Sequence, residues 1–210
     1  MRKLVVFLSV ATLLVSSNAL AQVDPDPDMV GFYFDENATE FCAETPVGTQ
    51  IPVYLCFTNP SDIGAEPDFF TISGWECSYT ATLPTGVFIL SETLRGIQPT
   101  NFSSFEDDFI VGLGVPFNWA PVVVVLEVLV GVFGPGEINF TVYPAFNSSF
   151  DPPSPGYASG DDPNVLIPCG YSAGIDPASG DPNVCAVLNG ECTPIANEDM
   201  TWGGIKAIYK

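Results

Sequence analysis

The side chains with chemistry to offer in this chain are nearly all carboxylates: its 210 residues carry 25 Asp and Glu against five Lys and Arg, and no His. Without an imidazole, neither a Ser-His-Asp triad nor a Cys-His pair can be assembled, and a zinc site loses its usual nitrogen ligand. A Ser-Lys pair would have to draw on Lys206 or Lys210 in the C-terminal tail, and no Gly-x-x-x-x-Gly-Lys loop is present to cradle a phosphate. Carboxylates alone support two chemistries. A pair of them cleaves glycosides, and Glu76 and Glu127 are the first candidates, since each lies inside a strand-like run. Glu127 has apolar neighbours on its own face, and Arg95 is the ion-pair partner open to it. Carboxylates also ligate Ca²⁺. Asp161, Asp162 and Asp181 stand in two similar Ser-Gly-Asp turns, within 158–165 and 178–184, and Asp176 stands just before the second; turn formation alone also accounts for them. Asp24, Asp26, Asp28 and Asp35 match oxygen positions of an EF-hand loop, but Met29 stands where that loop needs Gly.

Cysteines are the second reactive group, and the N-terminus says where they go. Met1-Arg2-Lys3 precedes an apolar run over 4–15 and a small pair, Ala19 and Ala21, before Gln22, the pattern of a secretory signal peptide over 1–21. Its removal takes Arg2 and Lys3 and moves the formal charge from −20 to −22. So acidic a surface repels phosphate backbones, which argues against nucleic acid as a partner. No membrane span is expected after the signal. In a secreted or periplasmic setting, Cys42, Cys56, Cys77, Cys169, Cys185 and Cys192 read as disulfide partners. Spacing suggests Cys42–Cys56 across a hairpin at Pro46-Val-Gly-Thr, Cys169–Cys185 between two late strands, and Cys77–Cys192 for the remainder.

The elements that must position these groups are strands. The 19 Gly and 20 Pro cut the chain into short segments, and period-two alternation appears in 50–58 and in 71–82. In the second, Trp75, Cys77 and Tyr79 face one way and Glu76, Ser78 and Thr80 the other. The organising stretch is 120–133, the most apolar run after the signal, with Val122, Val124, Leu126, Val128, Val130 and Val132 expected on one face. Gly134-Pro-Gly136 is expected to turn it as a hairpin into 138–143. Further strand candidates are 30–34, 38–43, 87–90, 108–113, 165–167 and 184–188. The reading is an acidic leader over 22–29, one all-β, two-sheet antiparallel sandwich over 30–193 and a short C-terminal tail over 194–210, where Trp202, Ile205 and Tyr209 fall at helical spacing. Trp119, in a loop before the central strand, is the best candidate for a sugar-stacking platform.

One layout resembles a known family. A strand ending in Phe57-Thr-Asn-Pro, then Ile72-Ser-Gly-Trp-Glu, the apolar central strand and the Gly-Pro-Gly turn are similar to the cohesin-type β-sandwiches of bacterial extracellular scaffolds, over roughly 49–143. The resemblance implies a two-sheet sandwich that binds a protein. The closing Thr-Trp-Gly-x-Ile-Lys-x-x-Tyr-Lys is also similar to a tail seen on various secreted bacterial proteins. The expected function is therefore non-catalytic extracellular binding, adhesion or assembly, with an extracellular protein or glycan as partner. A carbohydrate-binding module and a carboxylate-dependent glycoside hydrolase are the alternatives. No cofactor is expected beyond Ca²⁺.

Overall fold

The computed structural model describes residues 26–61, 70–172 and 184–190. Residues 1–21 and 194–210 lie outside these, as do Asp176, Asp181 and Cys192. The described residues contain strands and no helix. In order these are β1 (Met29–Tyr33), β2 (Cys42–Ala43), β3 (Thr49–Thr58), β4 (Phe70–Ala81), β5 (Val87–Leu94), β6 (Thr100–Asn101), β7 (Asp108–Asn118), β8 (Val122–Val132), β9 (Ile138–Tyr143), β10 (Gly156–Ser159), β11 (Leu166–Pro168), β12 (Gly170–Tyr171) and β13 (Val184–Leu188). They form a sandwich of two sheets. The five-stranded sheet has the order β12-β1-β3-β8-β5, and the eight-stranded sheet is built around β4. One edge of β4 pairs with β7; the other carries β10 beside Glu76 and then β9 beside Ser78.

Alternation explains the core. Val53, Leu55 and Phe57 of β3 face Trp75, Cys77 and Tyr79 of β4 and Ile138, Phe140 and Val142 of β9, and all are buried in one cluster. Phe32 joins the sheets, its ring centroid 5.1 Å from Tyr79 and 5.2 Å from Phe140. The tilted and edge-on geometries suit the aromatic quadrupole.

The central strand departs from its expected pattern at one point. Leu55 pairs with Leu126 but Cys56 pairs with Val124, so Val125 is an extra residue in β8. This β-bulge shifts the parity. Leu126, Val128, Val130 and Val132 face the core as expected, whereas Val122 and Val124 turn outward and Val123 and Val125 turn in. The outward valines are still covered, because they pack with Tyr33, Cys56 and Phe41 under the loop after β1.

Two expected hairpins are crossovers between the sheets. Gly134-Pro-Gly136 leads from β8 in one sheet to β9 in the other, and Pro46-Val-Gly48 leads from β2 to β3 in the same way. At Gly134 the chain passes so near residue 85 that a Cβ would fall 2.1 Å from the Thr85 carbonyl oxygen. Of the stretch 38–43, only Cys42 and Ala43 form a strand, paired in parallel with Val187 and Leu188.

That topology overturns the expected cysteine pairs. Cys42 and Cys56 belong to different sheets, and Cys56 is a buried thiol. Cys169 and Cys77 are also buried thiols, so the Cys169–Cys185 and Cys77–Cys192 bonds are not formed. The late strands do not stand side by side: Cys169 lies level with Cys77 and Cys185 level with Thr80 along β4. Cys42 itself is disulfide-bonded. Burial pushes the Cys56, Cys77 and Cys169 thiols up from their ordinary range, which suppresses the reactive thiolate. An aromatic disulfide reagent at pH 8 should therefore titrate none of these three in the native protein within minutes, and all three once guanidinium unfolds it. Fast reaction in the native state would refute the burial.

Candidate functional site: the outer faces of the two sheets

The outer face of the five-stranded sheet is polarised. Three rows cross β3, β8 and β5: Tyr54–Glu127–Thr93, Pro52–Leu129–Ser91 and Gln50–Gly131–Phe88. The first row is charged. Arg95 binds Glu127 and, at 3.1 Å, Glu36, so the expected Glu127–Arg95 pair is present. Arg95 is also the sole Lys or Arg among the described residues. Glu36 is brought there by a loop organised on Asp35. That carboxylate accepts the Thr39 and Glu40 amides at 2.8 and 2.7 Å and the Thr39 hydroxyl at 2.8 Å.

The far end of this face is apolar and open. Phe88 (53% exposed), Phe133 (50%) and Leu90 (42%) gather there, with ring centroids of the two phenylalanines 6.5 Å apart. Gly131 makes the cluster possible, since a Cβ there would fall 2.7 Å from the Phe133 ring and 3.0 Å from Leu90. Sequence reasoning missed this cluster because Phe88 and Leu90 share an unremarkable strand run, and only pairing with β8 sets them beside Phe133.

The outer face of the eight-stranded sheet holds two buried carboxylates. Glu76, on the strand face opposite Trp75, Cys77 and Tyr79, is 5% exposed. Its Oε1 accepts the Ser148 hydroxyl and the Ser149 amide, both at 2.7 Å. Asp108 accepts the Ser103 hydroxyl and, at 2.8 Å, the Phe146 amide. Together they hold residues 144–150 against the sheet where β9 gives way to β10. The sequence named Glu76 only as a candidate for glycoside cleavage and did not mark Asp108, because the Ser148, Ser149 and Phe146 donors lie far along the chain.

Glu76 and Glu127 therefore point away from one another on opposite faces of a sandwich whose sheets stand about 10 Å apart. Glycosidase pairs lie roughly 5–9.5 Å apart, so these two do not form one. Of the calcium candidates, Asp162 is engaged in a turn: its Oδ1 accepts the Asn164 amide at 3.0 Å and the Asn164 side chain at 2.8 Å. Those bonds lower its pKa. The Asp161 amide donates to Ser159 Oγ. Asp28 of the EF-hand-like series accepts the Ser61 amide and the Tyr157 hydroxyl at 2.7 and 2.6 Å, far from Asp35 and its loop. Among the described residues no three His, Cys, Asp or Glu side chains gather around a metal-sized space, and no helix is long and apolar enough to cross a membrane. Trp119 lies at the surface between β7 and β8, 54% exposed.

Among the described residues two carboxyls titrate upward. Burial raises Glu92, against the opposing pull of its bond from the Tyr79 hydroxyl, and burial with Glu106 nearby raises Asp107. A raised carboxyl binds its proton more tightly in the folded state, so its stabilising contribution is full below the unfolded pKa and is lost as pH rises through the folded one. The surplus of acids acts in the same direction through self-repulsion. The melting temperature should rise by roughly 2–4 °C from pH 7.5 to pH 5, and Glu92→Gln should reduce that rise. A flat or opposite profile by calorimetry would refute it.

No family model matches the chain, and no curated protein matches it. Solved structures similar to it are cohesin modules. The sixth cohesin of Acetivibrio cellulolyticus scaffoldin B, solved with a Cel5 dockerin mutant, aligns with 79% of this chain and 100% of its own at 7% identity and a TM-score of 0.46. The cohesin module of a Clostridium perfringens family 33 glycoside hydrolase aligns with 68% and 90%, at 8% identity and 0.42. A non-cellulosomal cohesin from the archaeon Archaeoglobus fulgidus aligns with 70% and 86%, at 11% identity and 0.40. The likeness is one of architecture: a cohesin-like β-sandwich.

Proposed function

We propose that this chain is a non-catalytic extracellular binding module that takes a protein partner on the outer face of its five-stranded sheet. The observation that carries the reading is the exposed Phe88–Leu90–Phe133 cluster, set where edge strand β5 pairs with the end of β8 and continuous with the Arg95–Glu127 row. Contiguous exposed apolar groups beside polar ones mark interaction surfaces, and aromatic side chains dominate the energetics of such surfaces. The signal-like N-terminus supports export, and the separation of Glu76 from Glu127 favours binding over hydrolysis.

A photo-reactive phenylalanine analogue at position 133, exposed to the extracellular fraction of the source cells, should give a discrete protein adduct. The same analogue at exposed Thr80, on the other sheet, should give none, and Phe88→Asp should abolish the first adduct. Equal labelling from both positions would reject the face. Exposed Trp119 favours one second reading, a carbohydrate-binding module. Retention on a glycan array that is lost with Trp119→Ala would replace the protein-binding reading.

A further inference from the structure

The eight-stranded sheet carries a cavity of about 130 Å³ on its outer face, independent of the surface described above. Its origin is in the register. Gly156 and Ile110 flank Glu76, and Ala158 and Gly112 flank Gly74, so this patch has almost no side chains projecting from β10 and half of β4. Ile110, Phe150 and Leu166 stand around it as apolar walls, with Glu76 in the lining. A Cβ on Gly156 would fall 2.4 Å from the Phe150 ring, so the glycine is what lets that ring close one side.

Glu76 gives the cavity its chemistry. Oε1 is occupied by Ser148 and Ser149. Both of those bonds go to Oε1, so Oε2 is the oxygen open to a donor entering the cavity. A carboxylate has about four acceptor positions, and the donors from Ser148 and Ser149 leave the others open. We infer that the cavity is an anchor for a lysine side chain of a partner protein, its methylenes against Ile110, Phe150 and Leu166 and its ammonium on Glu76.

Each alternative cation fits less well. A hydrated metal ion would meet one carboxylate and apolar walls, not the six or more oxygens that Ca²⁺ takes. A guanidinium binds carboxylate best through a two-pronged fork, but one of the two oxygens is already spoken for. An ammonium needs a single contact point and has a flexible apolar stem. Long-range charge assists, because 25 acids against five bases attract a basic partner.

The test is a titration of the full-length ¹⁵N-labelled protein with N-acetyl-lysine methylamide, and in parallel with its norleucine and arginine counterparts. The lysine probe should give saturable shifts at the Glu76, Ser149 and Gly156 amides, with norleucine at least fivefold weaker and arginine at least threefold weaker. Glu76→Gln retains an acceptor for Ser148 and Ser149 and should abolish saturation. Leu166→Ala, an exposed position on a short edge strand, should weaken binding severalfold without changing the melting temperature. Equal shifts in wild type and Glu76→Gln, equal response to norleucine, or shifts spread over all acidic surfaces would each overturn the anchor. So would saturation that appears only after Lys206 and Lys210 are both changed to Gln, since the occupant would then be the chain's own tail.

Discussion

Deletion of Leu129 abolishes the cooperative fold, whereas deletion of Val125, four positions earlier in the same strand, leaves it standing: this is the largest contrast expected for the protein. Side chains in a strand alternate with period two, so removing one residue exchanges the faces of everything on one side of the gap. Without Leu129, either Val130 and Val132 leave the core or Leu126 and Val128 do, and the second choice drives Glu127 inward. Each buried Val or Leu contributes roughly 1.5–3 kcal/mol, and burying a carboxylate away from its partner costs several kcal/mol more. The total rivals the whole stability of a typical domain, about 5–15 kcal/mol. Val125 differs because it is the extra residue of a bulge. Its deletion joins Val124 to Leu126 in regular alternation, with Val123, Leu126, Val128, Val130 and Val132 still facing inward. What is lost is one buried Val and the carbonyl that accepts the Arg95 amide at 2.9 Å, on the order of 2–4 kcal/mol together. Urea denaturation followed by circular dichroism decides it. A cooperative transition in the Leu129 deletion, or none in the Val125 deletion, would show that the parity assignment is wrong.

The same strand shows why some of the fold was legible and some was not. Glu127 is polar among apolar neighbours, and it reports correctly that the odd positions of 126–132 turn away from the core. Val122 to Val125 contain no polar residue, because their outward members are covered by Tyr33 of β1 and by Phe41 from the loop after it. A run buried on both faces has no parity to read. Alternation likewise located β3, β4 and β9 to within a residue or so, but it carries no information on which sheet a strand joins. Gly134-Pro-Gly136 suits a hairpin and a crossover equally well. Only the pairing of β9 with β4 and β13 distinguishes them, and the disulfide expectations failed with the hairpins they assumed. The site was less legible still. Trp119 was found at the surface, as its loop setting suggested, and Arg95 was matched to Glu127 because few cations were available. Nothing near Glu76 in the sequence signals its burial, since the Ser148 and Ser149 that cover it are more than 70 positions away.

Asp108→Ala should cost about 3–5 kcal/mol, an effect out of proportion to a single polar side chain near the surface. The carboxylate is 3% exposed and receives two donors, the Ser103 hydroxyl from the β6–β7 loop and the Phe146 amide from the segment after β9. Hydrogen bonds to a charged acceptor are worth about 1.5–3 kcal/mol each, and a stranded buried donor adds its own desolvation cost. Asn101 reinforces the loop, with its Oδ1 accepting the Ser103 and Ile110 amides and its Nδ2 donating to the Asp108 carbonyl, each at 3.0 Å. The two segments meet in the Phe105–Phe146 ring pair, with centroids 4.5 Å apart. Asp108 thus joins elements that backbone pairing leaves separate, and its loss should free both at once. Asp108→Asn keeps an acceptor for Phe146 and should lose about 1–2 kcal/mol. Hydrogen exchange in the Ala variant should accelerate at 101–107 and 144–150 together, while β3 and β8 retain their protection. Acceleration in one segment only, or a stability loss equal in the Asn and Ala variants, would show that the two loops are held independently and that Asp108 is not what couples them.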